Sequence, residues 1–161
     1  MKVINFTAVE VLPALLAGTK TQTIRLLKGK PRINVGDEVQ LMWHQRTSPK
    51  DSWFCSECGN KVKATIDDYP FYCHNCKKYV KGFPKIIRTV TIKERFGIEM
   101  EATDGLEATR IWLLGEHNFL SLDKVKEIAK RDGFGGEQEM FKWFDEHYDL
   151  DEPKKLVVYR W

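Results

Sequence analysis

The sequence predicts an α+β fold, on three observations. Segments of period two and segments of helical period follow one another in mixed order along the 161 residues. The composition, 42% hydrophobic and 30% charged, is that of an ordinary globular domain. A cysteine-bearing stretch of roughly forty residues separates two strand-like segments, so one domain carrying a small insertion accounts for the length.

The elements follow in chain order. In "FTAVEVLPALLAG", Val11, Leu12, Leu15 and Leu16 share one helical face, and Gly18 is a natural stop. Thr7-x-x-Glu10 has the form of a capping box, but a start at Thr7 would place Pro13 too deep, so the helix starts nearer Glu10. "GTKTQTIR" is then rich in hydroxyls, an amide and cations. Drawn out as an extended segment it puts Thr21, Thr23 and Arg25 on one face, with Lys20 beside them. Arg25 can fork onto a phosphate, a carboxylate or a base edge, and Thr23 can make one hydrogen bond. An ordinary turn, with Arg25 paired to Asp37 or Glu38, is the competing reading.

"NVGDEVQLMWHQ" turns at Val35-Gly36-Asp37 and then alternates Val39, Leu41 and Trp43 as a half-buried strand. "FPKIIRTVTIKERFGIEME" alternates again and continues toward Ile98 and Met100. Both prefer neighbours in a sheet, so the ends of the segment between them should lie close together. After an ambiguous stretch from Asp104 to Asn118, Ser121 caps a helix with Leu122, Val125, Ile128 and Ala129 on one face and Gly133 as its stop. "EQEMFKWFDEHY" repeats that logic with Met140, Phe141, Phe144 and Tyr148, and "KKLVVYRW" closes the chain as a strand.

Net charge is only +3, too slight by itself to announce a nucleic-acid partner, but it is not evenly spread. Between Trp43 and Gly82 seven basic residues (Arg46, Lys50, Lys61, Lys63, Lys77, Lys78, Lys81) face four acids (Asp51, Glu57, Asp67, Asp68), so this stretch holds the whole excess. It also holds all four cysteines, as C-x2-C, fourteen residues, C-x2-C. Each pair sets two thiolates on one tight turn, and a hairpin between the pairs brings Cys55, Cys58, Cys73 and Cys76 to one tetrahedral zinc ion. With four protein ligands the zinc is structural, one per chain. His74 is an alternative ligand that four well-spaced thiolates make unnecessary. A ribbon this small has little core, so some of Trp53, Phe54, Phe71, Tyr72 and Tyr79 must cover the metal, leaving two as surface candidates.

A helix ending in Gly-x-Lys-x-x-Thr-x-Arg, a Val-Gly-Asp turn opening a strand, an "AKRDGF" helix end, a Phe/Trp-rich short helix and a terminal apolar strand together resemble the ASCH domain of the PUA-like superfamily. The resemblance covers residues 1–45 and 83–161 and leaves 46–82 as an inserted zinc ribbon. It implies a small β-barrel with flanking helices and a cleft, associated with RNA or modified nucleobases, lined by Lys20, Thr23 and Arg25. One branch of that family comprises amidohydrolases that deacylate N4-acetylcytidine with a Lys, a Thr and a Glu. Carried over, these fall on Lys20, Thr23 and Asp132, where Asp replaces the longer acid. In that scheme Lys20, its pKa lowered by desolvation, activates Thr23 for attack on the amide carbonyl.

Two functions therefore stand side by side. One is a reader of RNA, a nucleotide or a modified nucleobase, to which the ribbon adds a basic surface with Lys77, Lys78 and Lys81. The other is the amidohydrolase. A protein-interaction role needs only an exposed patch and stays open. No apolar run is long enough to span a bilayer or serve as a signal, which gives a cytoplasmic expectation and no membrane partner.

Overall fold

The computed structural model describes residues 2–30, 32–43, 52–62, 70–102, 109–116 and 118–161. Along the chain run β1 (Lys2–Phe6), a 3-10 turn (Val9–Val11) leading into α1 (Leu12–Ala17), β2 (Gln22–Leu26), β3 (Glu38–Trp43), β4 (Trp53–Cys55), β5 (Lys61–Val62), β6 (Phe71–Cys73), β7 (Lys78–Val80), β8 (Gly82–Pro84), β9 (Ile86–Thr91), β10 (Glu94–Glu101), β11 (Arg110–Leu113), α2 (Leu122–Asp132), α3 (Glu137–Tyr148) and β12 (Lys154–Arg160). The class is α+β. The expected small barrel is not closed: among the described residues the strands form four separate sheets, ordered β1-β3-β9, β11-β10-β12-β2, β5-β4-β8 and β6-β7. The reason lies at Ile92-Lys93, where the run read from sequence as one strand breaks in two. Its first half, β9, pairs with β3, and its second half, β10, pairs with β12. No helix among the described residues is long and apolar enough to cross a membrane.

Backbone contacts divide the chain into two compact units, Met1–Gly18 with Asp37–Thr91, and Thr19–Gly36 with Ile92–Trp161. In the first unit β1 runs parallel to β3, and β3 runs antiparallel to β9 with an irregularity between Leu41 and Met42. Val39, Leu41 and Trp43 are fully buried, as their alternation requires, together with Ile4 and Phe6 from β1. Helix α1 starts two residues later than its sequence suggests, because Pro13 is tolerated only in a first turn. Arg88 of β9 donates to the Leu15 carbonyl at its far end, at 3.3 Å.

The cysteine segment belongs to this first unit. Trp43 N donates to Lys85 O at 2.9 Å and Lys85 N to Ser52 O at 3.0 Å, so the two ends of the segment do lie close together. The Trp43 indole N–H also donates to Gly59 O at 2.8 Å, and its ring meets Phe83 edge-on. These ties join the segment to Trp43 at the end of β3.

The second unit is an antiparallel sheet with α2 against β2 and α3 against α2. Ser121 Oγ accepts from Lys124 N at the start of α2, as an N-cap should. The helix ends at Gly133, whose φ of +94° is the left-handed geometry that a side chain resists. Val125, Ile128 and Ala129 are buried along its inner face, and Met140, Phe141 and Phe144 along that of α3.

Candidate functional site

In the first unit the two C-x2-C pairs form two matching turns. Strand β4 delivers Cys55, and the chain turns so that Gly59 N donates back to Cys55 O at 2.9 Å. Gly59 adopts φ +68°, and a Cβ there would lie 2.5 Å from the Trp43 ring, so the turn needs glycine twice over. Strand β6 delivers Cys73 in the same way, with Lys77 N donating to Cys73 O at 2.7 Å and Lys77 itself at φ +55°. Backbone amides are aimed at sulfur on each turn: Glu57 N lies 3.4 Å from Cys55 Sγ, and Cys76 N lies 3.4 Å from Cys73 Sγ.

All four thiol sulfurs lie within 4.8 Å of one another, a group that can hold a metal ion. Across the turns Cys55 and Cys76 Sγ are 3.9 Å apart, and Cys58 and Cys73 Sγ are 3.7 Å apart. These separations exceed any disulfide and match the edge of roughly 3.8 Å that follows from tetrahedral coordination at ~2.3 Å. As thiols Cys58 and Cys76 shift in opposite directions. Burial pushes Cys58 up, but the Asn60 backbone N–H and the thiols of Cys76, Cys55 and Cys73 outweigh it and leave it at about 6. Cys76 is pushed up to about 12, first by its hydrogen bond to Cys58. His74 is outside the group, its ring edge-on to Tyr72 at 5.2 Å.

The ribbon's aromatic residues divide by strand alternation. Phe54 and Phe71 are buried, Trp53 is half-buried against Phe71, and Tyr72 and Tyr79 are exposed, at 44% and 70%. The exposed pair faces outward because Phe71, Cys73 and Val80 take the inner side of the β6-β7 hairpin. Tyr72 and Tyr79 are cross-strand partners, 5.4 Å between centroids. Lys77, Lys78 and Lys81 are exposed on the same stretch, and Lys78 meets Glu57 at 3.3 Å. Arg46, Lys50 and Lys63 lie outside the described residues.

In the second unit Thr19 to Arg25 of the "GTKTQTIR" stretch become the approach to β2 and β2 itself. Two backbone bonds fix its start: Thr21 N to Arg131 O at 3.1 Å, and Trp161 N to Thr21 O at 3.0 Å. Lys20, only 1% exposed, gives its ammonium to both the side-chain carboxylate and the main-chain carbonyl of Asp132. The other carboxylate oxygen accepts from Ile24 N at 3.2 Å. Burial lowers the Lys20 pKa and raises that of Asp132, and in each case the partner's charge opposes the shift.

Gln22 reaches the Ile128 carbonyl on α2 at 3.1 Å, so alternation along β2 puts Thr23 and Arg25 on the opposite face. Thr23 is buried and Arg25 half-buried. Burial is the main influence on Arg25, lowering its pKa against the opposing pull of Asp132, Tyr148 and Tyr159. Lys20, Arg25 and Asp132 are thus brought together electrostatically, with Thr23 in the same strand. In the first unit Asp37 pairs with Lys2.

Tyr148, Tyr159 and Asn60 carry no motif and are found only through structure. Tyr159 enters because β12 pairs with β2 in the register Tyr159↔Thr23. Comparison with protein-family models, curated proteins and solved structures finds no match for this chain.

Proposed function

We propose that this chain is a nucleic-acid-associated protein, an ASCH-like domain of PUA-like type carrying a structural zinc ribbon, which binds RNA or a modified nucleobase. The observation that carries the reading is the β6-β7 hairpin, where Tyr72 and Tyr79 stand exposed on the outer face and Lys77, Lys78 and Lys81 are exposed along the same stretch of chain. Rings for bases beside cations for phosphates are the two parts that single-strand binding needs. Zinc suits the four sulfurs in ligand type and spacing, and Cys55, Cys58, Cys73 and Cys76 would hold it. Its role there is to hold the two turns together. A four-cysteine zinc site, unlike a disulfide framework, suits a reducing compartment, so the proposal includes a cytoplasmic location. In this reading Arg25, half-buried, is the residue of the β2 set that would meet a ligand.

The test is RNA affinity measured against salt. Log affinity should fall with log salt by about 0.7 per phosphate contact. Lys77, Lys78 and Lys81 changed together to Ala should flatten that slope and weaken binding to many sequences alike. An unchanged slope would remove the ribbon from the RNA surface.

A second reading rests on Lys20. A buried amine with lowered pKa, oriented by a carboxylate, is the equipment of a general base, and Thr23 is the nearby nucleophile of the amidohydrolase scheme. Incubation with N4-acetylcytidine should then release cytidine, and Thr23→Val should stop it. No cytidine from the intact protein would end this reading.

A further inference from the structure

A groove of about 410 Å³ runs along the ribbon beside the cysteine turns, lined by Asn60, Lys61, Val62, Tyr72, His74 and Asn75. Tyr72 stands nearly at right angles to His74, so the two rings make a stepped aromatic wall. Asn60 is fixed by sulfur: its Nδ2 lies 3.4 Å from Cys58 Sγ. A thiolate only accepts hydrogen bonds, so it holds the amide NH2 toward itself. The amide's other end, Oδ1, is then an acceptor whose identity is set by the metal ligand.

An acceptor beside an aromatic wall discriminates among bases. The Watson–Crick edges of adenine and cytosine offer an exocyclic amino group, whereas that of uracil offers one N–H between two carbonyls. We infer that this groove is a base-reading subsite for single-stranded RNA, in which one unpaired base stacks on Tyr72 and donates one amino hydrogen to Asn60 Oδ1. Lys61, exposed at the groove edge, takes the adjoining phosphate. The inference rests on the RNA reading above and adds a base preference that lysines alone cannot supply.

The experiment titrates the full-length zinc-loaded protein with oligo(rA), oligo(rC) and oligo(rU) of equal length at one salt concentration, with zinc content measured for every variant. The adenine and cytosine strands should bind about threefold to tenfold tighter than the uracil strand, the reach of one net hydrogen bond. Asn60→Ala should erase that preference while leaving uracil binding in place. Tyr72→Ala should weaken all three by about tenfold or more, and Tyr72→Phe should bind as the parent does. If RNA binds but Tyr72→Ala leaves affinity unchanged, or a zinc-loaded Asn60→Ala keeps the preference, the subsite is refuted and the RNA reading stands. Should Asn60→Ala lose its metal, the two Tyr72 variants decide. If the parent protein binds none of the three strands, both readings fall.

Discussion

Lys20 and Asp132 are each almost closed to solvent, and such a pair is far costlier to break than to replace. Removing one partner leaves the other charge buried, so Lys20→Met or Asp132→Asn alone should cost about 3–5 kcal/mol of stability. Changing both to apolar residues should cost clearly less than the two single changes added together, as denaturant titrations of the three variants would show. Additive losses would mean that the pair is not coupled as its geometry requires. The lowered Lys20 pKa also has a sign in pH. Between its value in the folded protein and its ordinary ~10.4, the unfolded chain binds the extra proton, so stability rises with pH across that window. Asp132 and Arg25 act on the same amine, so the clean measurement is the difference in slope between the parent and Lys20→Met. If the parent shows no extra rise, the amine titrates as an ordinary lysine and loses its claim to base chemistry.

At the scale of elements, α2 matters because its last residue is Asp132. Its C-terminus is set by Gly133 at φ +94°, with Gly133 N bonded to Lys130 O and Phe134 N to Ala129 O. Gly133→Ala puts a Cβ into left-handed backbone and should cost about 1–2 kcal/mol. Ser121→Ala, at the other end of the helix, should cost about 1 kcal/mol through the lost cap. The two differ in reach: only the Gly133 change should also alter the pH slope assigned to Lys20, because only it disturbs the carboxylate. An unaltered slope would detach the helix end from the pair. Both stops were legible in the sequence, since Ser before an amphipathic run and Gly after it reflect local backbone chemistry. The sheet order was less legible. Strand β1 went unread although Val3, Ile4 and Phe6 are ordinary strand residues, because five residues at a chain end give periodicity little to work on. The break at Ile92-Lys93 is also silent in sequence, since each half alternates normally and only the choice of partner changes.

Over the whole molecule, the cysteine set was the most readable feature, because metal ligation constrains spacing within a few residues of chain. The Lys20–Asp132 contact spans 112 positions, and neither periodicity nor spacing specifies it. The unit boundaries were hidden for a similar reason: whether an insertion hangs from its loop or packs on its host depends on single long-range struts such as Trp43 to Gly59. That strut yields a prediction about metal removal. The cysteine turns lie in the same unit as β3 and β9, whereas β10, β12 and β2 lie in the other. A strong chelator should therefore speed amide exchange first at Gly59 and Lys77, whose N–H groups bond the carbonyls of Cys55 and Cys73, and then along β4 and β6. Trp43 should report the same event by fluorescence, because its indole loses the Gly59 carbonyl, and Trp43→Phe should abolish that part of the signal. Amides paired between β10 and β12 should keep their protection throughout. Equal loss of protection in β10 and β12 would mean that the ion supports the whole chain, and no exchange change at Gly59 and Lys77 would mean that the four sulfurs hold no ion.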